Sequence, residues 1–283
     1  MKPPIFFGLK KLLILTGMVT ATIFPASAAI SETKTAESGN VKAELSYQRE
    51  STDFPKFSKL HLKIVGTGKT LLDQALPETE GAWPLVALDT DAATQYGKDT
   101  FQVRNLDTDS EAEILIDLTT GGAHCCSYSL IYHFDPVKQQ YSYLNHHWGN
   151  GGYKLKTLDS NNVPKFVSQD DRFTYAFGSY AGSGVPLQIW QYRQGKMQDV
   201  TRQYPKLIYD NAYYWWQIYV KERKNDTAEY GRGPLAAYLA DKYLLGQGQD
   251  GWQRVQQVYR GRDRAEFFKK LGDFLQANGY ISR

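Results

Sequence analysis

The sequence predicts an α+β protein: a β-rich body over residues 41–203, followed by an α-helical C-terminal region over residues 204–283. Three observations predict it. Short apolar/polar alternations with the period of two of a strand recur between residues 41 and 200. Clusters such as Gly149-Asn150-Gly151-Gly152 and Gly182-Ser183-Gly184 punctuate them. Beyond Tyr204 the apolar residues switch to a spacing of three and four, the period of a helix.

The first 28 residues read as a secretory signal. Lys2, Lys10 and Lys11 precede an uncharged apolar run, Leu12 to Phe24; Pro25 breaks it, and Ala26-Ser27-Ala28 supplies the small residues of a cleavage site. The alternative is an uncleaved anchor, since Leu12 to Ile30 approaches the roughly 20 residues a spanning helix needs. Cleavage would place the mature chain in a secreted or periplasmic setting with no transmembrane anchor. Residues 29–40 are small and polar and read as a flexible leader.

Strand alternation starts at Val41–Tyr47 and recurs at Leu60–Val65, Phe101–Leu106, Ile114–Leu118, Ser129–Phe134 and Tyr141–Leu144. Leu187–Tyr192 and Lys196–Val200 read as a hairpin turning at Gln194-Gly195. Four helices follow, carried by Leu207, Ala212, Trp216 and Tyr219; by Leu235, Leu239 and Leu244; by Trp252, Val255 and Tyr259; and by Phe267, Leu271 and Leu275. The last ends at Asn278-Gly279. Tyr213-Tyr214-Trp215-Trp216 offers stacking faces for sugars, but its helical spacing favours buried packing.

Composition narrows the function classes. The chain carries 33 basic and 30 acidic residues, and three of the lysines lie in the signal. The mature chain is therefore neutral, without the bulk field that holds nucleic acid or an anionic membrane. Aromatics make up 14%, which argues against disorder and suits β-structure and sugar-facing surfaces.

Asn105-Leu-Asp107-Thr-Asp109-Ser-Glu111-Ala-Glu113 leads into the apolar strand Ile114-Leu115-Ile116. Oxygen-bearing side chains on alternate positions of a tight loop can wrap one hard cation such as Ca²⁺. This stretch resembles the calcium-loop repeats of FG-GAP and integrin-α-like (VCBS-type) β-propellers, over about residues 85–200. The resemblance implies blade-like β-repeats and Asn105, Asp107, Asp109 and Glu113 as side-chain ligands. Two departures matter: Asn105 replaces the first acid, and Ser110 replaces the glycine of the turn. A second copy lies at Thr157-Leu-Asp159-Ser-Asn161-Asn-Val-Pro-Lys165. Lys165 stands at its last acidic position and would repel an ion, so that copy reads as a metal-free turn.

Both cysteines are adjacent, Cys125-Cys126. In an oxidising compartment they would pair with each other; two free thiols or a bridge between chains are the alternatives. His124, His133, His146 and His147 lie nearby and with the cysteines form a candidate soft-metal set, although the spacing fits no zinc pattern. Asp170-Asp171 is a candidate carboxylate pair for acid/base work, or a turn capping its own backbone. The leading reading is a non-enzymatic binding or structural module for an unknown extracellular ligand or protein. The alternative is an extracellular hydrolase using Asp170/Asp171 or the His124–Cys126 region.

Overall fold

A computed structural model describes residues 29–50, 56–77, 81–88, 100–109, 111–122, 125–223 and 228–281. The signal reading and Ser110 fall outside the described residues. Among the described residues three antiparallel sheets precede four α-helices, which is the α+β class the sequence predicts.

The first sheet is a four-stranded meander: β1 (Ile30–Ser38), β2 (Val41–Glu50), β3 (Lys56–Gly66) and β4 (Lys69–Ala75). β1 lies where a flexible leader is expected. Its alternation of small and charged residues is hard to distinguish from a linker, yet it pairs with β2 from Ile30↔Arg49 to Ser38↔Val41. The two-residue turn Gly39-Asn40 sets that register.

The second sheet holds β5 (Trp83–Pro84), β6 (Phe101–Arg104), β7 (Glu113–Gly122), β8 (Cys125–Asp135) and β9 (Gln140–Gly149). β5 and β6 share one edge of β7, and β8 and β9 continue from the other. The third sheet is again a meander: β10 (Lys154–Thr157), β11 (Pro164–Gln169), β12 (Leu187–Arg193) and β13 (Lys196–Asp199).

The sheets stack. Leu45, Leu62 and Ile64 of the first sheet pack against Ile114, Ile116 and Leu130 of the second. The opposite face of the second sheet, Leu115, Ile131 and Trp148, meets Phe166 and Tyr192 of the third. β7 is therefore buried from Glu113 through Thr119, which is why its sequence reads as a near-continuous apolar run. Each fully buried Ile or Leu there contributes roughly 1.5–3 kcal/mol. The far side of the third sheet, Leu187 and Ile189, receives Ile208 from the first helix.

The helices are α1 (Pro205–Glu222), α2 (Ala228–Leu244), α3 (Gly248–Val258) and α4 (Arg264–Ala277). Leu235, Leu239, Val255, Phe267, Leu271 and Leu275 form their core, with Phe173 and Phe177 contributed by the segment between β11 and β12. Consecutive positions on a helix are about 100° apart, so Tyr213 to Trp216 cannot all turn inward. Tyr213 and Tyr214 are more than half exposed, correcting the expectation of buried packing. Trp215 instead donates from Nε1 to the Val185 carbonyl at 2.9 Å. No helix among the described residues is long and apolar enough to cross a membrane.

Candidate functional site

A cleft of about 680 Å³ opens between the second and third sheets. β9 supplies His147, Trp148 and Gly149; β11 and the turn after it supply Ser168 to Arg172; β12 and β13 supply Gln188, Trp190 and Asp199; Cys126 stands on the rim. A side cavity of about 100 Å³ shares Arg172, Gln188 and Asp199 with it and extends to Arg202 and Asn278. The combined space lies within the size range of small-molecule sites.

Trp148 is held from behind. Its Nε1 donates to Ser129 Oγ at 2.7 Å, and Ser129 Oγ donates to Asp117 Oδ1 at 2.5 Å. Tyr153 hydroxyl donates to the same carboxylate, at 2.8 Å to Oδ2. Ring contacts with Phe166 and Tyr153 complete the clamp. Asp117 is 5% exposed, and burial pushes its carboxyl up to about 7 against the pull of the Ser129 and Tyr153 hydrogen bonds. A carboxyl whose folded pKa lies above its unfolded value of 3.8 leaves stability greatest at low pH. That stability falls as pH rises from about 4 to about 7, by roughly 4 kcal/mol for this group. Asp117→Asn is expected to flatten this part of the stability–pH curve, read as the urea midpoint across that window; an unchanged slope would clear Asp117 of the effect.

The acidic pair divides its roles. Asp170 is almost wholly buried, and both its oxygens are taken. Oδ1 accepts from Arg172 N and Nε at 3.1 and 2.8 Å; Oδ2 accepts from Arg172 Nη2 at 2.6 Å and Tyr280 hydroxyl at 2.8 Å. Asp170 is thus the cap of its own turn and the anchor of the C-terminal end. Asp171 bonds Thr174 Oγ1 through Oδ1 at 2.9 Å and presses on Gly149, where a Cβ would stand 2.1 Å from the carboxylate carbon. Gly149 also has φ +63°, so only glycine suits that cleft wall.

The 105–113 loop does not line the cleft. It joins β6 to β7 and touches the β12–β13 turn, where Gln194 N donates to Asp107 Oδ2 at 2.8 Å. One carboxylate oxygen each from Asp107, Asp109 and Glu113 lie within 4.8 Å of one another. Asn105 braces the loop: its Oδ1 accepts from Asp107 N and Thr108 N, and its Nδ2 donates to the Asp109 carbonyl. Glu113 is 2% exposed and accepts from Leu106 N at 2.7 Å. Burial, with Asp107 and Asp109 alongside, pushes its carboxyl up to about 8.

The second copy of the loop is built alike. Val163 N donates to Asn161 Oδ1 at 2.9 Å, as Glu111 N does to Asp109 Oδ1 at 2.8 Å. Lys165 is more than a repulsive substitution. Only 1% exposed, its Nζ points inward, 3.4 Å from Asp159 Oδ2 and 2.9 Å from the Val163 carbonyl. The chain's own ammonium thus sits among oxygens that a cation would otherwise use.

The other candidates lie apart. His133 bonds Ser142 Oγ, His146 packs between Trp148 and Trp190, and His147 stacks on Tyr128. His124 and the Cys125 side chain fall outside the described residues, and no described cysteine is free. The cleft therefore gathers Cys126, His147, Asp170 and Asp171. It also gathers Trp148, Trp190, Gln188 and Asp199, which the sequence does not single out; the alternation in Leu187–Tyr192 locates their strand but not which face meets a ligand.

Fold and cleft together define an α+β protein whose stacked sheets carry a solvent-open cleft and are followed by a helical unit. Residues 208–279, within that helical unit, match the family model of the sll0997 C-terminal domain. Over 235 residues the chain is 30% identical to "Probable thylakoid lumen protein sll0997" of Synechocystis sp. (strain ATCC 27184 / PCC 6803 / Kazusa), covering 79% of this chain and 62% of that one. It is 28% identical over 161 residues to "Uncharacterized protein y4bJ" of Sinorhizobium fredii (strain NBRC 101917 / NGR234), covering 53% of this chain and 24% of that one. The chain thus spans less than two thirds of either relative. No solved structure matches it.

Proposed function

We propose that the protein is an exported, non-enzymatic binding module that holds a small or extended ligand in the cleft between its second and third sheets. The cleft itself carries the reading: about 680 Å³, open, and walled by side chains from two sheets. The hydrolase alternative built on the Asp170/Asp171 pair is weakened because Asp170 has both oxygens committed to Arg172 and Tyr280. A secreted or periplasmic location rests on the N-terminal signal pattern and on similarity to a protein named for a thylakoid lumen. Pairing of Cys125 with Cys126 belongs to the same oxidising setting; intact mass without reduction should lack two hydrogens, and two alkylated thiols would refute it.

Native mass spectrometry of protein taken from its own compartment tests the cleft. A small-molecule adduct is expected on the wild type and absent from Gln188→Trp, which fills the cleft with an indole. A bare wild type, or an adduct retained by the filled variant, would count against the reading.

Calcium at 105–113 is a further part of the proposal, supported by the gathered oxygens of Asp107, Asp109 and Glu113. Asn105 fits less well, since its carbonyl already serves two backbone N–H groups. The ion would tie the loop to the start of β7. Calorimetric titration should show Ca²⁺ heat, lost in Asp107→Ala/Asp109→Ala, and saturation at a hundredfold excess over Kd should add about 2.7 kcal/mol of stability. A wild type without heat or stabilisation ends the proposal.

A further inference from the structure

We infer that the cleft is built for a neutral, hydroxyl-rich chain, an oligosaccharide, running from Trp190 past Gln188 into the side cavity at Arg202; this rests on the binding-module reading. Three features of the lining select that chemistry.

The polar groups are planar and carry paired donors or acceptors. Gln169 and Gln188 present amides, and Asp171 and Asp199 present carboxylates. Asp199 spends Oδ1 on Thr201 N and Oγ1, and Asp171 spends Oδ1 on Thr174, so each keeps a second oxygen for a ligand hydroxyl. Vicinal hydroxyls match such groups, because each is donor and acceptor at once.

Charge excludes the main competitor. Among the described residues Arg172 is the one lysine or arginine lining the main cleft, and Asp170 already holds its Nε and Nη2. With Asp171 and Asp199 lining the same cleft, a phosphate or carboxylate placed in the main cleft would meet net repulsion. The partly exposed indole of Trp190, beside these polar groups and backed by the buried Trp148, supplies the apolar and π surface that the C–H faces of a sugar ring pack upon.

Shape sets the length. The main cleft and the side cavity meet along Arg172, Gln188 and Asp199, so the space is elongated rather than round. Arg202 closes the far end, its Nη1 fixed by the Tyr243 and Leu244 carbonyls at 3.1 and 2.9 Å.

Calorimetric titration with neutral oligosaccharides of glucose and of N-acetylglucosamine, in increasing length, tests the inference on the whole protein. Binding should tighten with length and be nearly independent of salt. Trp190→Ala should weaken it about tenfold or more, while Trp190→Phe, which keeps a ring and guards against misfolding, should retain most of it. Arg202→Ala should remove only the gain from the longer chains. Spermidine and an uncharged capped peptide are titrated alongside. Binding of either in place of the glycans, or glycan binding unmoved by Trp190→Ala, overturns the inference. No glycan binding, with the native adduct still lost in Gln188→Trp, overturns the saccharide assignment and leaves the cleft reading standing. No glycan binding and no adduct removes both.

Discussion

Asp159→Ala is expected to cost the protein about 3 kcal/mol, because it strands a buried ammonium. Lys165 lies at the start of β11 with 1% of its side chain exposed, and Asp159 is its counter-charge at 3.4 Å. The same Asp159 oxygen accepts from Tyr204 hydroxyl at 2.8 Å. The hydrogen bond from Tyr204, then the Lys165 charge, hold the Asp159 carboxyl below its ordinary range. Without Asp159, Lys165 keeps only the Val163 carbonyl. The figure sits at the low end for broken buried pairs because Asp159 is one-third exposed and water can partly replace it. Lys165→Met removes the charge but keeps a chain of similar volume, so it should cost less, and adding it to Asp159→Ala should recover much of the loss. Urea midpoints at constant m report all three. A double variant as unstable as Asp159→Ala alone would show that the ion pair is not the source.

Gly233→Ala is expected to be the most damaging single methyl in the helical unit. A Cβ there would stand 2.0 Å from the Gly182 carbonyl oxygen and 2.7 Å from Gly184 N. The crossing is reciprocal: a Cβ on Gly184 would stand 2.4 Å from the Gly233 carbonyl oxygen. Every obstructing atom is backbone, so no rotamer change relieves the clash and α2 must move off the 180–184 turn. That movement should cost about 3 kcal/mol or more and disturb Trp215, whose indole bonds Val185 in the same segment. Near-UV circular dichroism and the thermal midpoint should fall together. Gly272→Ala is the control. It lies within α4 with nothing within 4 Å of its Cβ position, so alanine should stabilise by about 0.5–1 kcal/mol. Equal behaviour of the two variants would mean the close approach is not as tight as described.

The legible parts of the fold are those where a single segment carries its own signal. Ile114-Leu115-Ile116 announces a strand buried on both faces, and Gln194-Gly195 announces a hairpin that the structure places at β12–β13. β1 is not legible because Ser, Thr, Glu and Lys alternate in it and its one large apolar residue, Ile30, is exposed at its start. β11 hides behind Pro164 and Lys165, since lysine reads as solvent-facing until its counter-charge at Asp159 is seen. The oxygen-rich loop at 105–113 can be read from spacing, and the carboxylates of Asp107, Asp109 and Glu113 do gather. The cleft cannot be read that way. Trp148, Asp171 and Trp190 come from three separate segments, and only the stacking of two sheets makes them neighbours.

The bond from Tyr280 to Asp170 joins residues 110 apart, one between two strands of the body and the other beyond the last helix. For a polypeptide that emerges N-terminus first, from a ribosome or a translocation pore, the third sheet is complete well before its buried carboxylate meets that phenol. The lock closes only after the four described helices have followed the third sheet out. A product ending before Tyr280 would carry the described strands of the body and still lack its clasp.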